Sequence, residues 1–252
     1  LFKVLPRTTR IIFDTAYTNK KLRQKLLEIY SEANNGKPPL LNDLKTNVCI
    51  PSYNGGTGEI NVLKTKHHPD FNRDYKLPAH EVALSSASAP IYFPPNTFEY
   101  KNEFGSGVNV NMIDGGIFAN NPVMIGLLEA TEKLNIPFEN IEITSIGTGK
   151  GTYIIKKSWM PHNLWYWLMP NPRLLDIILD SQSQITEQYL LFLQRSLASR
   201  NIHFKYKRVQ FDFGSDTIEL NASKRYELNR LEAIGGELAK KHLKEVLQTI
   251  IN

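Results

Sequence analysis

Apolar and polar positions alternate with two rhythms along the chain. Between Lys20 and Tyr30, Leu22, Leu26, Leu27 and Tyr30 approximate one face of a 3.6-residue period, which predicts a helix capped by Asn19. Asn34-Asn35-Gly36-Lys37-Pro38-Pro39 ends it with turn chemistry. Residues 8–16 (TTRIIFDTA) and 44–52 are β-branched and apolar, and read as extended segments. Residues 60–65 alternate and pair with the second of these as a hairpin across the loose Asn54-Gly55-Gly56-Thr57-Gly58. His67 to Asp74 reads as a charged surface stretch.

The middle of the chain carries the sharpest pattern. Pro78 to Ala89 predicts a short helix with a face of small residues (Ala79, Val82, Ala83, Ser86 and Ala87), suited to close packing on a sheet. Pro90 ends it. Residues 108–113 (VNVNMI) predict a strand that runs into Asp114-Gly115-Gly116. Asn121-Pro122 then opens a helix over 123–134, and 141–146 is a second strand ending in Gly147-Thr148-Gly149. Strand, glycine turn, helix and strand predict a right-handed crossover in a parallel sheet, hence an α/β fold. Beyond it, residues 174–199 form a long helix or a broken pair, 204–213 a strand, and 228–251 a helix interrupted by Gly235-Gly236.

Composition narrows the classes. The chain has 252 residues with 41% hydrophobic positions, enough for a real core and incompatible with disorder as a general state. The formal charge of +5 is spread along the chain, so nothing resembles an arm for a nucleic acid polymer, while an anionic membrane surface stays compatible. The single Cys49 excludes an internal disulfide framework and fits a reducing compartment. No run of 18 apolar residues is present to span a bilayer. The chain opens Leu1-Phe2-Lys3-Val4, as if entered in mid-fold.

Asp114-Gly115-Gly116 is the strongest candidate site, because residues at the carboxyl ends of strands in α/β sheets face the ligand crevice. An Asp turn that bonds only its own backbone is the competing reading. Ser85, Ser86, Ser88 and Ser106 all lie outside a Gly-x-Ser-x-Gly elbow, so none is placed as a nucleophile. The histidines lack metal-ligand spacing, and no metal or cofactor is expected. Gly147-Thr148-Gly149-Lys150-Gly151 fits neither phosphate-binding fingerprint, although Lys150 could face an anionic head group. Lys156, Lys157, Trp159, Trp165 and Trp167 combine basic and amphipathic aromatic residues, which suits either membrane contact or an aromatic satellite core.

Residues 83–95 (ALSSASAPIYFPP), 113–122 (IDGGIFANNP) and 144–149 (TSIGTG), in this order and spacing, resemble the patatin-like phospholipase family. The likeness is strong from Arg10 to Gly151 and weaker to Asn252. It implies one domain over 1–252 with a modified α/β-hydrolase-like, three-layer fold and a mostly parallel central sheet. It also implies hydrolysis of phospholipid acyl esters by a Ser–Asp dyad, with Asp114 as the base. Gly115 and Gly116 would hold that base at the crevice lip. Asn120, Asn121 and Pro122 would start the next helix and hold the turn, and Gly147 and Gly149 would form a tight turn near the site. The family's Asp-Gly-Gly-Gly-x-Arg-Gly oxyanion loop and its serine elbow are absent. The expectation is therefore that roughly 50 to 80 residues carrying them precede this sequence, and that the chain alone is inactive. The resemblance extends to a group of cyclic-nucleotide-activated bacterial enzymes of antiphage defence. It implies a cytoplasmic protein acting peripherally at the membrane, with a cyclic nucleotide activator and homo-oligomerisation left open. A catalytically inactive lipid- or nucleotide-binding module of the same fold is the alternative.

Overall fold

The Asn54–Gly58 loop reverses the chain as its composition requires. Asn54 Oδ1 accepts from the backbone N–H groups of Gly56 and Thr57 at 2.9 and 3.2 Å, and Gly58 adopts φ +76°. It joins β1 (Cys49–Asn54) to β2 (Glu59–Lys64), which pair antiparallel from Cys49↔Lys64 to Asn54↔Glu59. These features belong to a computed structural model that describes residues 15, 17–102, 105–151, 167, 173–214, 218 and 222–251. The chain divides into two compact units, Leu1–Pro122 with His162–Gln182, and Val123–Pro161 with Ser183–Asn252.

In the first unit, β3 (Asn96–Asn102) and β4 (Gly105–Asp114) pair antiparallel. The last residues of β4 pair with β1 through Asn54↔Met112, Tyr53↔Ile113 and Ser52↔Asp114. The resulting order is β2-β1-β4-β3, and every pairing in it is antiparallel. This corrects the expectation of a mostly parallel central sheet. The two outer pairs join strands adjacent in sequence, where a short reversal can only produce antiparallel neighbours.

Two helices cover this sheet's core. α1 (Asn19–Ala33) starts one residue before the expected segment, with Thr18 at the cap position. Asn19 does not cap it, because its Nδ2 donates instead to the Pro94 carbonyl at 3.0 Å. α2 (Ala79–Ser86) buries Ala79 and Val82 against Leu41, Leu63, Leu77, Phe98 and Met112, all 6% exposed or less. Its buried side continues through Leu84 and Ser85, whereas Ala87 is exposed. Each buried side chain of this size contributes about 1.5–3 kcal/mol, so this cluster dominates the unit's stability.

In the second unit, β5 (Glu142–Ile146) pairs parallel with β6 (Lys205–Val209), from Glu142↔Lys205 to Ile146↔Val209. Among the described residues, the expected crossover from 108–113 to 141–146 is therefore not made within one sheet. The parallel neighbour of β5 arrives some 60 residues later. α4 (Val123–Leu128) runs into a π-helical turn at Glu129–Lys133. Val123 and Leu127 pack with Ile141, Leu190 and Phe204.

α5 (Arg173–Ala198) is one unbroken helix that gives its first ten residues to the first unit, where Leu175 packs with Ala89 and Tyr92, and the rest to the second. α6 (Arg225–Ile251) runs straight through Gly235-Gly236, where added Cβ atoms would meet nothing within 4 Å, so the expected interruption does not occur. Among the described residues no helix is long and apolar enough to cross a membrane. The stretch read as extended at 8–16, apart from Thr15, lies outside the described residues.

Candidate active site

Asp114 is the last residue of β4, and its position is locked from both sides. Its N–H donates to the Ser88 carbonyl at 3.0 Å, just past the end of α2. On the other side it sits opposite the fully buried Ser52, whose Oγ donates to the Ile113 carbonyl at 2.8 Å. The strand end thus has little freedom to move relative to β1 and α2.

The two glycines that follow serve different purposes. Gly115 has φ −72° and ψ −12°, an ordinary helical conformation, so backbone freedom is not why glycine is there. A Cβ at Gly115 would overlap the Pro51 carbonyl and come within 2.6 Å of Pro51 Cβ. Close approach of two backbones demands glycine here. Gly116 opens the short helix α3 (Gly116–Ala119), and its N–H donates to Asp114 Oδ1 at 2.7 Å. A Cβ at Gly116 would lie 3.1 Å from that same oxygen and 3.2 Å from Leu179 Cδ2. The turn therefore brings a backbone N–H to the carboxylate while keeping side-chain bulk away.

Among the described residues the Asp114 carboxylate receives this one hydrogen bond and meets no cation. Burial pushes its pKa up, because the charged form loses water, and the Gly116 N–H offsets part of that rise. A carboxylate held this way has more affinity for a proton than an ordinary aspartate, which suits a general base.

The nearby serines fasten the turn instead of reacting in it. Ser86 Oγ donates to the Pro51 carbonyl at 2.7 Å, directly behind Gly115, and Ser88 Oγ donates to the Leu84 carbonyl at 2.7 Å. Ser85 Oγ donates to the Glu81 carbonyl at 2.8 Å. Asn120 is exposed, and its Nδ2 donates to the Leu179 carbonyl at 2.9 Å, tying the end of α3 to α5. Asn121 is 2% exposed and Pro122, just before α4, is exposed. Asp114, Gly115, Gly116 and Asn120 are thus brought together in the first unit.

Gly147 and Gly149 belong to the second unit and close the β5 end. Gly147 N–H donates to the Val209 carbonyl at 2.9 Å, and Gly149, at φ +104°, donates to Gln210 Oε1 at 3.2 Å. Lys150, considered above for an anionic head group, pairs with Asp212 at 3.3 Å. Lys156, Lys157, Trp159 and Trp165 lie outside the described residues, and Trp167 is half-buried.

One polar network escaped the sequence reading. The fully buried Asn96 donates through Nδ2 to Glu81 Oε2 at 3.0 Å and to Ser85 Oγ at 3.1 Å, and Arg23 donates to its Oδ1 at 2.6 Å. Arg23 Nε also pairs with Glu81 Oε1 at 3.0 Å. This network joins α1, α2 and β3. No local motif announces it, because its members are separated by up to 73 positions. A groove of about 740 Å³, lined by Lys76, Tyr100, Lys101 and Val108 among others, lies at the far end of β3 and β4 from Asp114.

Comparison with known proteins gives the family. Residues 3–127 match the model of the patatin-like phospholipase family, so the chain carries a patatin-like phospholipase domain. It is 27% identical over 249 residues to a cGAMP-activated phospholipase of Vibrio cholerae, covering 94% of this chain and 66% of that protein. A cGAMP-activated phospholipase of Escherichia coli is 34% identical over 134 residues, 52% of this chain and 36% of that protein. Patatin-like protein 1 of Arabidopsis thaliana is 23% identical over 253 residues, 93% of this chain and 58% of that protein. The chain thus spans between about a third and two thirds of the length of these curated relatives.

Proposed function

We propose that this chain, with its patatin-like phospholipase domain, is the base-bearing part of a lipid acyl hydrolase that cleaves phospholipid acyl esters at a membrane surface. The observation that carries the reading is Asp114, buried enough to raise its proton affinity, held at a strand end and free of any cation among the described residues. In this reading Asp114 takes the proton of a serine hydroxyl supplied by the complete protein as that oxygen attacks the ester carbonyl. It returns the proton to the departing alcohol oxygen, leaving an acyl-enzyme, and then activates water to release the fatty acid. Gly115 sets the position of the turn, and the Gly116 N–H orients the carboxylate, leaving its second oxygen for the serine.

Ser85, Ser86 and Ser88 donate to backbone carbonyls; in this reading the nucleophile is a serine of the complete protein, and the chain alone is expected to show no turnover. In the complete protein, Asp114→Asn should lower kcat/KM on a phospholipid by about 10²- to 10⁴-fold while leaving cooperative unfolding intact. Undiminished turnover would remove Asp114 from the chemistry. Saturable lipid binding with no product from the intact protein would favour the inactive binding module.

A second, finer reading is favoured by the match to the Vibrio cholerae protein across 94% of this chain. It makes the complete protein a cytoplasmic, peripherally membrane-acting enzyme switched on by a cyclic nucleotide in antiphage defence. Activity that is unchanged by added cGAMP would dismiss the activation and keep the hydrolase.

A further inference from the structure

The carboxyl end of the β5–β6 pair holds a cation with no carboxylate within 4 Å among the described residues. Arg208 Nη1 donates to Ser145 Oγ at 2.6 Å, and Nη2 lies 3.4 Å from Ser183 Oγ. Both partners are neutral hydroxyls. Arg208 Nε is buried and has no acceptor, and among the described residues no carboxylate comes within 4 Å of the guanidinium. Arg208 is half-buried, and a guanidinium partly withdrawn from water ordinarily finds an anion, because neutral acceptors leave most of its charge uncompensated. Tyr206 lies beside it, with its phenol raised to about 12, first by burial and then by the nearby Glu187 carboxylate. The phenol therefore stays neutral and offers Arg208 no charge.

What lies around this arginine is a cradle. A Cβ on Gly147 would overlap Gln210 Oε1 and come within 2.7 Å of Arg208 Nη2, so both groups converge above a backbone with no side chain. Gln210 Oε1 also accepts from the Gly149 N–H. A neutral amide oxygen, held by the Gly149 N–H, and the edge of the Arg208 guanidinium thus border the same space above Gly147. Ile146, the last residue of β5, is 69% exposed. Carboxyl ends of parallel strands are where α/β sheets receive ligands.

We propose that this strand end is an oxyanion site of the phosphate class. Arg208 supplies the charge, Ser145 and Ser183 orient its fork, and the Gly149 N–H donates to an anionic oxygen that displaces the Gln210 carboxamide. A lipid phosphodiester and a free phosphate share this chemistry. The site is independent of Asp114 and is read by binding alone.

The test uses the full chain. Inorganic phosphate, titrated by calorimetry at fixed ionic strength, should bind saturably. Arg208→Gln should weaken that binding at least about tenfold, since it removes a charge-assisted pair of hydrogen bonds. Arg208→Lys should recover only part of it, because the ammonium lacks the fork. Gln210→Ala, which leaves the arginine in place and guards against a misfolded Arg208 variant, should tighten binding several-fold by removing the competing oxygen. Flotation with phosphatidylcholine vesicles, with and without phosphatidic acid, separates the sources. Vesicle retention that inorganic phosphate competes away assigns the site to a lipid headgroup, and phosphate binding without retention assigns it to a soluble phosphate compound. Absence of saturable binding to both probes, or equal binding by wild type, Arg208→Gln and Gln210→Ala, would overturn the proposal.

Discussion

Two glycine turns, one after β4 and one after β5, look alike in sequence and work differently in the fold. At Asp114-Gly115-Gly116 the backbone angles are ordinary, and glycine is required because the Pro51 backbone presses against it. At Gly147-Thr148-Gly149 the obstacles over Gly147 are the flexible ends of Gln210 and Arg208, and only Gly149 needs glycine for its backbone, at φ +104°. The first turn is thus sealed by main chain on main chain. The second is filled by side chains that can leave. A turn of the first kind suits a base that must not move. One of the second kind suits a position that exchanges occupants.

Substitution breaks this contrast if it is wrong. The largest effect is expected at Gly115→Ala, where neither backbone can yield, at a cost of about 3 kcal/mol or more in urea-induced unfolding. Gly149→Ala comes next, at roughly 2 kcal/mol, because an alanine must hold a left-handed backbone with the Phe213 ring in its way. Gly147→Ala should cost only about 1 kcal/mol, and part of that should be relieved in a Gln210→Ala background, where only the Arg208 fork still crowds the new Cβ. A Gly147→Ala cost as large as that of Gly115→Ala, unrelieved by Gln210→Ala, would erase the distinction.

The smallest effect has the opposite sign. Burial raises the Asp114 pKa in the folded state, so the stability linked to its protonated form is present below the ordinary carboxylate pKa and lost as pH rises through the shifted one. At neutral pH the folded protein therefore carries a destabilising charge. Asp114→Asn should unfold at a higher midpoint than wild type at pH 7, with the gain shrinking as pH falls toward about 4. The same shift should move the acid limb of the kcat/KM profile of the complete enzyme above the ordinary carboxylate range. A variant less stable than wild type at pH 7 would mean that the Gly116 hydrogen bond outweighs burial.

Much of the architecture was legible in local pattern. The Asn54–Gly58 reversal, the helix after Pro78, the strand ending at Asp114 and the long helix over 173–198 all follow from apolar period and turn residues, which act over a few positions. Partner choice was not legible. Reading β4 and β5 as neighbours in one parallel sheet rested on the strand–helix–strand order. Instead β4 has β1 and β3 beside it, and β5 takes β6. Order along the chain says which strands exist, while hydrogen-bond partners are decided by whichever edges remain free once the hairpins have formed.

The candidate site divides along the same line. Residue chemistry and its motif were enough to single out Asp114 and the glycines after it, because a carboxylate at a strand end followed by two residues without side chains is a local feature. Tertiary structure alone decided that Pro51 makes Gly115 obligatory, that Ser86 and Ser88 spend their hydroxyls on carbonyls, and that burial raises the proton affinity of Asp114. It also brought Arg208 to Ser145 across 63 positions of sequence. Propensity and turn chemistry act between neighbours, whereas desolvation and steric exclusion depend on which distant atoms the fold brings within a few ångströms.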